Sequence, residues 1–192
     1  MRKSESILKL EEMGLNTLDY FITKDKREVI HYLGKHANDD VSMRTERGDE
    51  FKCPFYYMFT GETLLNDALR HLSEGYILIF SPSLDTKGCI AFGTVGLGES
   101  AADVMEFVLG PGKVRDLDSH PSAKSIFIPK GALQAVTYKD FPDHAAILNT
   151  IYRTAKLNAY DEIPCVLEWS WYKHGVGRKS TQDVWWELRP YA

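Results

Sequence analysis

Ile7, Leu10 and Met13 recur at helical spacing, which predicts a helix over residues 4–13, and Gly14 stands where a left-handed cap closes such a helix. LDYFIT (18–23) reads as a strand. Asp25, with Glu28 three residues on, has the form of a capping box and opens a second helix with Val29, Ile30 and Leu33 turned inward. VSMRT (41–45) alternates, so Val41, Met43 and Thr45 share one face while Ser42 and Arg44 take the other. The clearest helical stripe is Leu65, Ala68, Leu69 and Leu72, stopped by Gly75.

YILIFSP (76–82), CIAFGTVGL (89–97), ADVMEFVL (102–109) and SIFIP (125–129) are strand-like apolar runs, the second and third being antiparallel neighbours across a turn at 98–100. Residues 110–121 are a loop by composition. Asp140 is placed to cap a helix with Pro142 in its first turn and Phe141, Leu148, Ile151, Tyr152 and Ala155 on its apolar face. PCVLEWSWY (164–172) and DVWWELRP (183–190) end the chain as two strands of a hairpin turning at 175–180. Strands and helices mix without strict βαβ alternation, which predicts an α+β fold of mixed or antiparallel sheets with flanking helices. No repeat or linker is evident in the 192 residues, so residues 1–192 are expected as one compact unit or two small lobes sharing a cleft.

Composition narrows the classes. At 44% hydrophobic and 26% charged the chain has ordinary globular usage, which excludes disorder and low-complexity structure. No apolar stretch approaches the ~20 residues that span a bilayer. The start, MRKSESILKLEEMG, is charged and amphipathic without an apolar signal core, so a cytoplasmic protein with no membrane partner is expected. Lys and Arg number 23 against 27 Asp and Glu, and no basic block rises above that balance, which argues against a nucleic-acid partner. Oligomeric state is not legible. Cys53, Cys89 and Cys165 lack any CxxC spacing and read as buried free thiols.

Histidine spacing includes no HxH or HExxH, so a zinc site is not expected. His120, in the polar loop DSHPS, is the one histidine singled out as a phosphoryl acceptor or base. GTVGLGES matches neither a P-loop nor a dinucleotide fingerprint, and GPGK at 110–113 reads as a plain turn. The final hairpin is more informative. Glu168 and Glu187 lie in the middles of two strands that pair, among apolar Leu167, Trp169, Trp186 and Leu188. Two carboxylates a few ångströms apart repel unless a cation neutralises them, and such a pair with phosphate oxygens is what Mg2+ uses. Arg189 shares the face of Glu187 and is suited to a phosphate or to a carboxylate. Arg44 and Arg47 in VSMRTERGDE are suited to bidentate phosphate binding. The alternative for both segments is a solvent face, with Arg44 or Arg47 paired to Asp49 or Glu50.

Three blocks in order, KSESILKLEEMGLNTLDYFIT (3–23), VSMRTERGDE (41–50) and VLEWSWY with DVWWELRP (166–190), resemble the ATP-binding domain of phosphoenolpyruvate synthase and pyruvate phosphate dikinase, an ATP-grasp-type fold. The first is similar to that family's Lys-led opening helix and puts Lys3 on its phosphate-binding lysine. The second resembles a Val-Arg-Ser-Ser strand and puts Arg44 on the phosphate-binding arginine. The third resembles an Ile-Glu-Trp strand followed by Leu-Gln-x-Arg-Pro, with Glu168 on the metal-associated glutamate and Arg189-Pro190 matched outright. Arg2 and Ser4 stand where the family has glycines, Glu46 replaces a serine, and Glu187 replaces a glutamine.

The resemblance implies an ATP and Mg2+ binding domain with two lobes around a cleft. Lys3, Arg44, Arg47 and Arg189 would hold phosphates, Glu168 and Glu187 would hold the metal, and Arg44 and Arg189 would serve the transferring phosphoryl group. It would be a phosphotransferase or ligase, if active, acting on an unnamed small-molecule or protein acceptor by positioning and charge neutralisation. A full dikinase reaction is not expected, because no phosphohistidine or pyruvate-binding segment is in the chain. The alternative is an ATP-grasp-like interaction module that has lost catalysis. The missing glycines favour it, and the aromatic segment 51–59 offers a contact surface where core packing is the plainer role. A third reading is a hydrolase or transferase using His120 or the acidic pair without nucleotide.

Overall fold

The structure, a computed structural model, describes residues 1–48, 53–98, 101–130 and 141–190. Helix α1 (Lys3–Glu12) opens the chain. The chain divides into two compact units, one built from Arg2–Glu5 and Leu18–Leu84, the other from Ser6–Thr17 and the chain from Asp85 onward.

In the smaller unit β1 (Phe21–Thr23), α2 (Lys26–Lys35), β2 (Asp40–Glu46), β3 (Phe55–Thr60), α3 (Gly61–Ser73) and β4 (Ile77–Pro82) follow in sequence. The strands form an antiparallel sheet in the order β1-β4-β2-β3. Val41 and Met43 of β2, with Leu78 and Phe80 of β4, share a core with Val29 and Leu33 of α2 and Leu64 and Ala68 of α3. The Asp25 carboxylate accepts the backbone N–H groups of Arg27 at 2.7 Å and Glu28 at 3.1 Å, which starts α2. The capping box is only half made: Glu28 takes the Thr23 hydroxyl instead of the Asp25 N–H.

The larger unit carries β5 (Cys89–Leu97), β6 (Ala102–Leu109), β7 (Lys124–Pro129), α4 (Ala145–Asn158), β8 (Cys165–Val176) and β9 (Thr181–Pro190). Its antiparallel sheet has the order β7-β6-β5-β8-β9. One face, with Ala91, Val95, Met105, Phe107, Leu167, Trp169, Trp185 and Leu188, packs on Leu10 of α1 and on Leu148, Ile151, Tyr152 and Ala155 of α4. Gly93 lies on that face opposite Phe107 and Trp169. A Cβ there would stand 2.0 Å from the Glu106 carbonyl oxygen, so only glycine lets the two strands approach this closely. Asp103 of β6 is buried and accepts the Tyr152 hydroxyl and the Lys156 ammonium of α4, both at 2.8 Å.

The α+β architecture with antiparallel sheets agrees with the sequence reading. Several expectations need correcting. β1 is three residues long rather than six. Ile30 is 44% exposed instead of inward, since α2 buries only Val29 and Leu33. The buried line of α3 is Leu64, Ala68 and His71, with Leu65, Leu69 and Leu72 flanking it. A 3-10 turn over Pro142–His144 precedes α4, whose first residue is Ala145. The aromatic segment, expected as core packing, becomes an edge strand with Phe55, Met58 and Phe59 exposed. Asp140, Asp49, Glu50 and the end of the 98–100 turn lie outside the described residues. No helix among the described residues is long and apolar enough to cross a membrane.

Candidate functional site

Residues 92, 94 and 96 of β5, 104, 106 and 108 of β6 and 166, 168 and 170 of β8 point away from the larger unit's core by strand alternation. The pairing lines up one polar row across this face: Ser125 opposite Glu106, Glu106 opposite Thr94, Thr94 opposite Glu168, and Glu168 opposite Glu187. Directly opposed side chains stand ~5 Å apart at Cβ, so the two glutamates of the hairpin face each other at repulsive range. Arg189, two residues beyond Glu187, brings its guanidinium to 3.7 Å from Glu168 Oε1. Glu168 is largely covered, with 19% of its side chain exposed, and Arg189 is open at 54%. At the far end Ser125 Oγ donates to Glu106 Oε1 at 3.4 Å.

The register of the final hairpin shifts after Glu168, because Trp169 pairs with Trp185 and leaves Trp186 as an extra residue. The bulge turns Trp186 to the polar face, where its indole N–H donates to Ser170 Oγ at 2.8 Å. Ser170 is buried, so the ring is held from beneath. Two opposed carboxylates are hard oxygen donors, and with phosphate oxygens they form a donor set that suits Mg2+. Among the described residues no group of three or more His, Cys, Asp or Glu side chains forms a metal cluster. Any ion here would therefore rely on the ligand for much of its coordination.

The smaller unit holds the other candidate residues. Arg44 lies on the face of β2 opposite the core, between Phe55 of β3 and Ile79 of β4, with its guanidinium carbon 5.3 Å from the Phe55 ring centre. On the same face the Glu46 carboxylate is buried and accepts the Ser4 backbone N–H at 2.8 Å and the Ser4 hydroxyl at 2.9 Å. Those bonds fix the first turn of α1, so Lys3 is held at the end of the strand that carries Arg44. Arg47 has the opposite parity. It stacks over Tyr76 at 4.5 Å and donates to the Glu74 carbonyl at 3.2 Å.

The candidates thus form two groups, Glu168, Glu187 and Arg189 on one unit and Lys3 with Arg44 on the other, and Arg47 joins neither. Thr94, Glu106 and Trp186 escape the sequence reading. The alternation of ADVMEFVL does place Glu106 off the core, but only strand pairing aligns it with Glu168.

The fold these units build is the ATP-grasp fold. No protein-family model matches the sequence, and no curated protein sequence matches it either. The likeness is to solved structures. An acetyl-coenzyme A synthetase of Ca. Korarchaeum cryptofilum, solved with coenzyme A and Ca-AMPCP, aligns over 99% of this chain and 92% of its own at 12% identity and a TM-score of 0.60. The ADP complex of purK, an N5-carboxyaminoimidazole ribonucleotide synthetase, aligns over 100% of this chain and 45% of its own at 11% identity and a TM-score of 0.56. A D-alanine-D-alanine ligase of Helicobacter pylori aligns over 98% and 50% at 14% identity and a TM-score of 0.51. The chain spans about half the length of purK, of this ligase and of two further ligase and macrocyclase structures that it matches. These likenesses carry the fold. The narrower likeness to phosphoenolpyruvate synthase and pyruvate phosphate dikinase rests on the three sequence blocks alone.

Proposed function

We propose that the chain binds a nucleotide with Mg2+ and is the ATP-grasp part of an ATP-dependent ligase. The observation that carries this reading is the opposition of Glu168 and Glu187 on the off-core face of the larger sheet, with Arg189 against Glu168. A carboxylate pair without a bound cation is electrostatically costly, and a metal-bound triphosphate relieves that cost. Glu168 and Glu187 would hold Mg2+, and Arg189, beside Glu168 and half exposed, would be free to reach a phosphate oxygen. For Arg44 and Lys3, on the smaller unit, the phosphate-binding role is the one that the sequence resemblance implies. Arg47 is engaged by Tyr76 and Glu74 and is left out. A ligase is favoured over a phosphotransferase because the structures sharing the fold are named as synthetases and ligases.

The test is calorimetric titration of the full chain with ADP, with and without Mg2+, for the wild type and Glu168→Gln. Wild type should bind in a Mg2+-dependent manner and Glu168→Gln should lose that dependence. Binding indifferent to Mg2+ in both proteins would remove the carboxylate pair from the site. A second reading, nucleotide binding without turnover, is favoured by the bonds of Ser4 to Glu46 where glycines would leave backbone free for phosphate. ATP hydrolysis or ligation by the wild type would dismiss it.

A further inference from the structure

Residues 110–121 close over one end of the polar sheet face, and His120 is their last ring. Leu117 of the 3-10 turn Val114–Ser119 is buried. Gly112 packs so tightly on Phe92 that a Cβ would lie 2.4 Å from the Phe92 ring. The His120 ring meets Phe92 at 6.0 Å and 80°. Phe92 precedes Thr94 by two residues on the same face, so the ring on which His120 packs stands one pleat, ~7 Å, along β5 from the row of Thr94, Glu168 and Glu187.

The two ring nitrogens differ. The backbone N–H of Ser122 lies 3.2 Å from His120 Nδ1. An amide N–H only donates, so Nδ1 accepts and the neutral ring carries its proton on Nε2. Nε2 has no partner among the described residues. A phosphoryl acceptor or a base at Nε2 needs the lone pair there, and Nδ1 would then carry a proton aimed at the Ser122 N–H. The setting therefore opposes the role that the sequence singled out for this histidine and leaves an N–H donor at Nε2, on a ring packed against the same sheet face that carries the carboxylate row.

We infer that His120 is a ligand-contacting residue of this face, donating Nε2–H to a phosphate oxygen of the bound nucleotide. The assignment rests on the nucleotide reading above, and its tautomer does not. The experiment uses the full chain labelled with 15N-histidine, in which ring 15N shifts assign the tautomer without ligand. Calorimetry with Mg2+ and ADP on wild type, His120→Ala and His120→Gln then reads the contact. The Nε2–H tautomer is expected. His120→Ala should weaken ADP binding by roughly tenfold to a hundredfold, the range for a hydrogen bond to a charged group. His120→Gln, which keeps an N–H at similar reach, should restore most of it.

An Nδ1–H tautomer overturns the inference. So does an unchanged affinity in His120→Ala, or an equal loss in the Ala and Gln variants, which would make the ring a support for the loop. If wild type binds no ADP while the Nε2–H tautomer is observed, the nucleotide reading has failed and the ligand assigned to His120 falls with it.

Discussion

Glu187 faces Glu168 directly and pairs with no cation among the described residues, since Arg189 reaches toward Glu168. Like charges opposed on neighbouring strands cost about 0.2–1 kcal/mol. Glu187→Gln should therefore raise the ligand-free thermal midpoint slightly, by an amount differential scanning calorimetry resolves, and added salt should shrink the gain. A drop on mutation would mean that Glu187 has a stabilising partner. Cys165 makes the opposite kind of statement. Burial, helped by the carboxylates of Glu162 and Asp103 and opposed by Lys9, raises its thiol from 9.0 to about 11. The folded chain thus keeps a proton that the unfolded chain gives up, and stability falls as pH rises from about 9 to about 11. Denaturant titrations across that window should show a decline that Cys165→Ala reduces; the buried Cys89 thiol, also raised from 9.0, supplies a further part, and Tyr32, raised from 10.0 to about 12, adds to it only above pH 10.

At the scale of elements, a helix glycine and a strand glycine behave differently. Gly34 sits exposed in α2 with nothing near a built Cβ, so Gly34→Ala should stabilise by about 0.5–1 kcal/mol through helix propensity. Gly93→Ala drives a methyl into the Glu106 carbonyl and should cost about 3 kcal/mol or prevent folding, as read in urea midpoints. Nothing local in CIAFGTVGL announces the second case. Periodicity located eight of the nine strands among the described residues because alternation is a local property, and it failed at β3, where FYYMFT exposes Phe55 and Phe59 on a sheet edge. It also set α3 one notch off: Leu64 and His71 are buried because sheet packing chose the stripe, and helical spacing alone fits either. Glu168, Glu187 and Arg189 were legible, since a carboxylate in mid-strand among tryptophans is unusual. Glu106 and Thr94 were not, because their place in the row depends on the order β7-β6-β5-β8-β9, which no single strand encodes.

For the whole molecule the question is what the carboxylate pair does when a ligand arrives. On the proposed reading Glu187 is the one position where the closing hairpin departs from glutamine, the residue of the family that the sequence resembles. An added carboxylate changes sign in its effect with the metal. With Mg2+ present its charge is neutralised and adds a hard oxygen donor, so wild type should bind metal and nucleotide more tightly than Glu187→Gln. Without Mg2+ the same carboxylate repels the triphosphate, and Glu187→Gln should bind bare ATP more tightly than wild type. The two affinities therefore cross between conditions, which calorimetric titration of both proteins with and without Mg2+ would show. A ligand at 100 times its dissociation constant stabilises the fold by about 2.7 kcal/mol, so the crossing should also appear as an exchange in the order of the ligand-induced shifts in thermal midpoint. Equal binding of both proteins in both conditions would place Glu187 away from the phosphates. Binding by neither would reduce the likeness to ATP-grasp enzymes to one of fold, and would leave the row from Ser125 to Glu187 as a solvent-facing pattern on an antiparallel sheet.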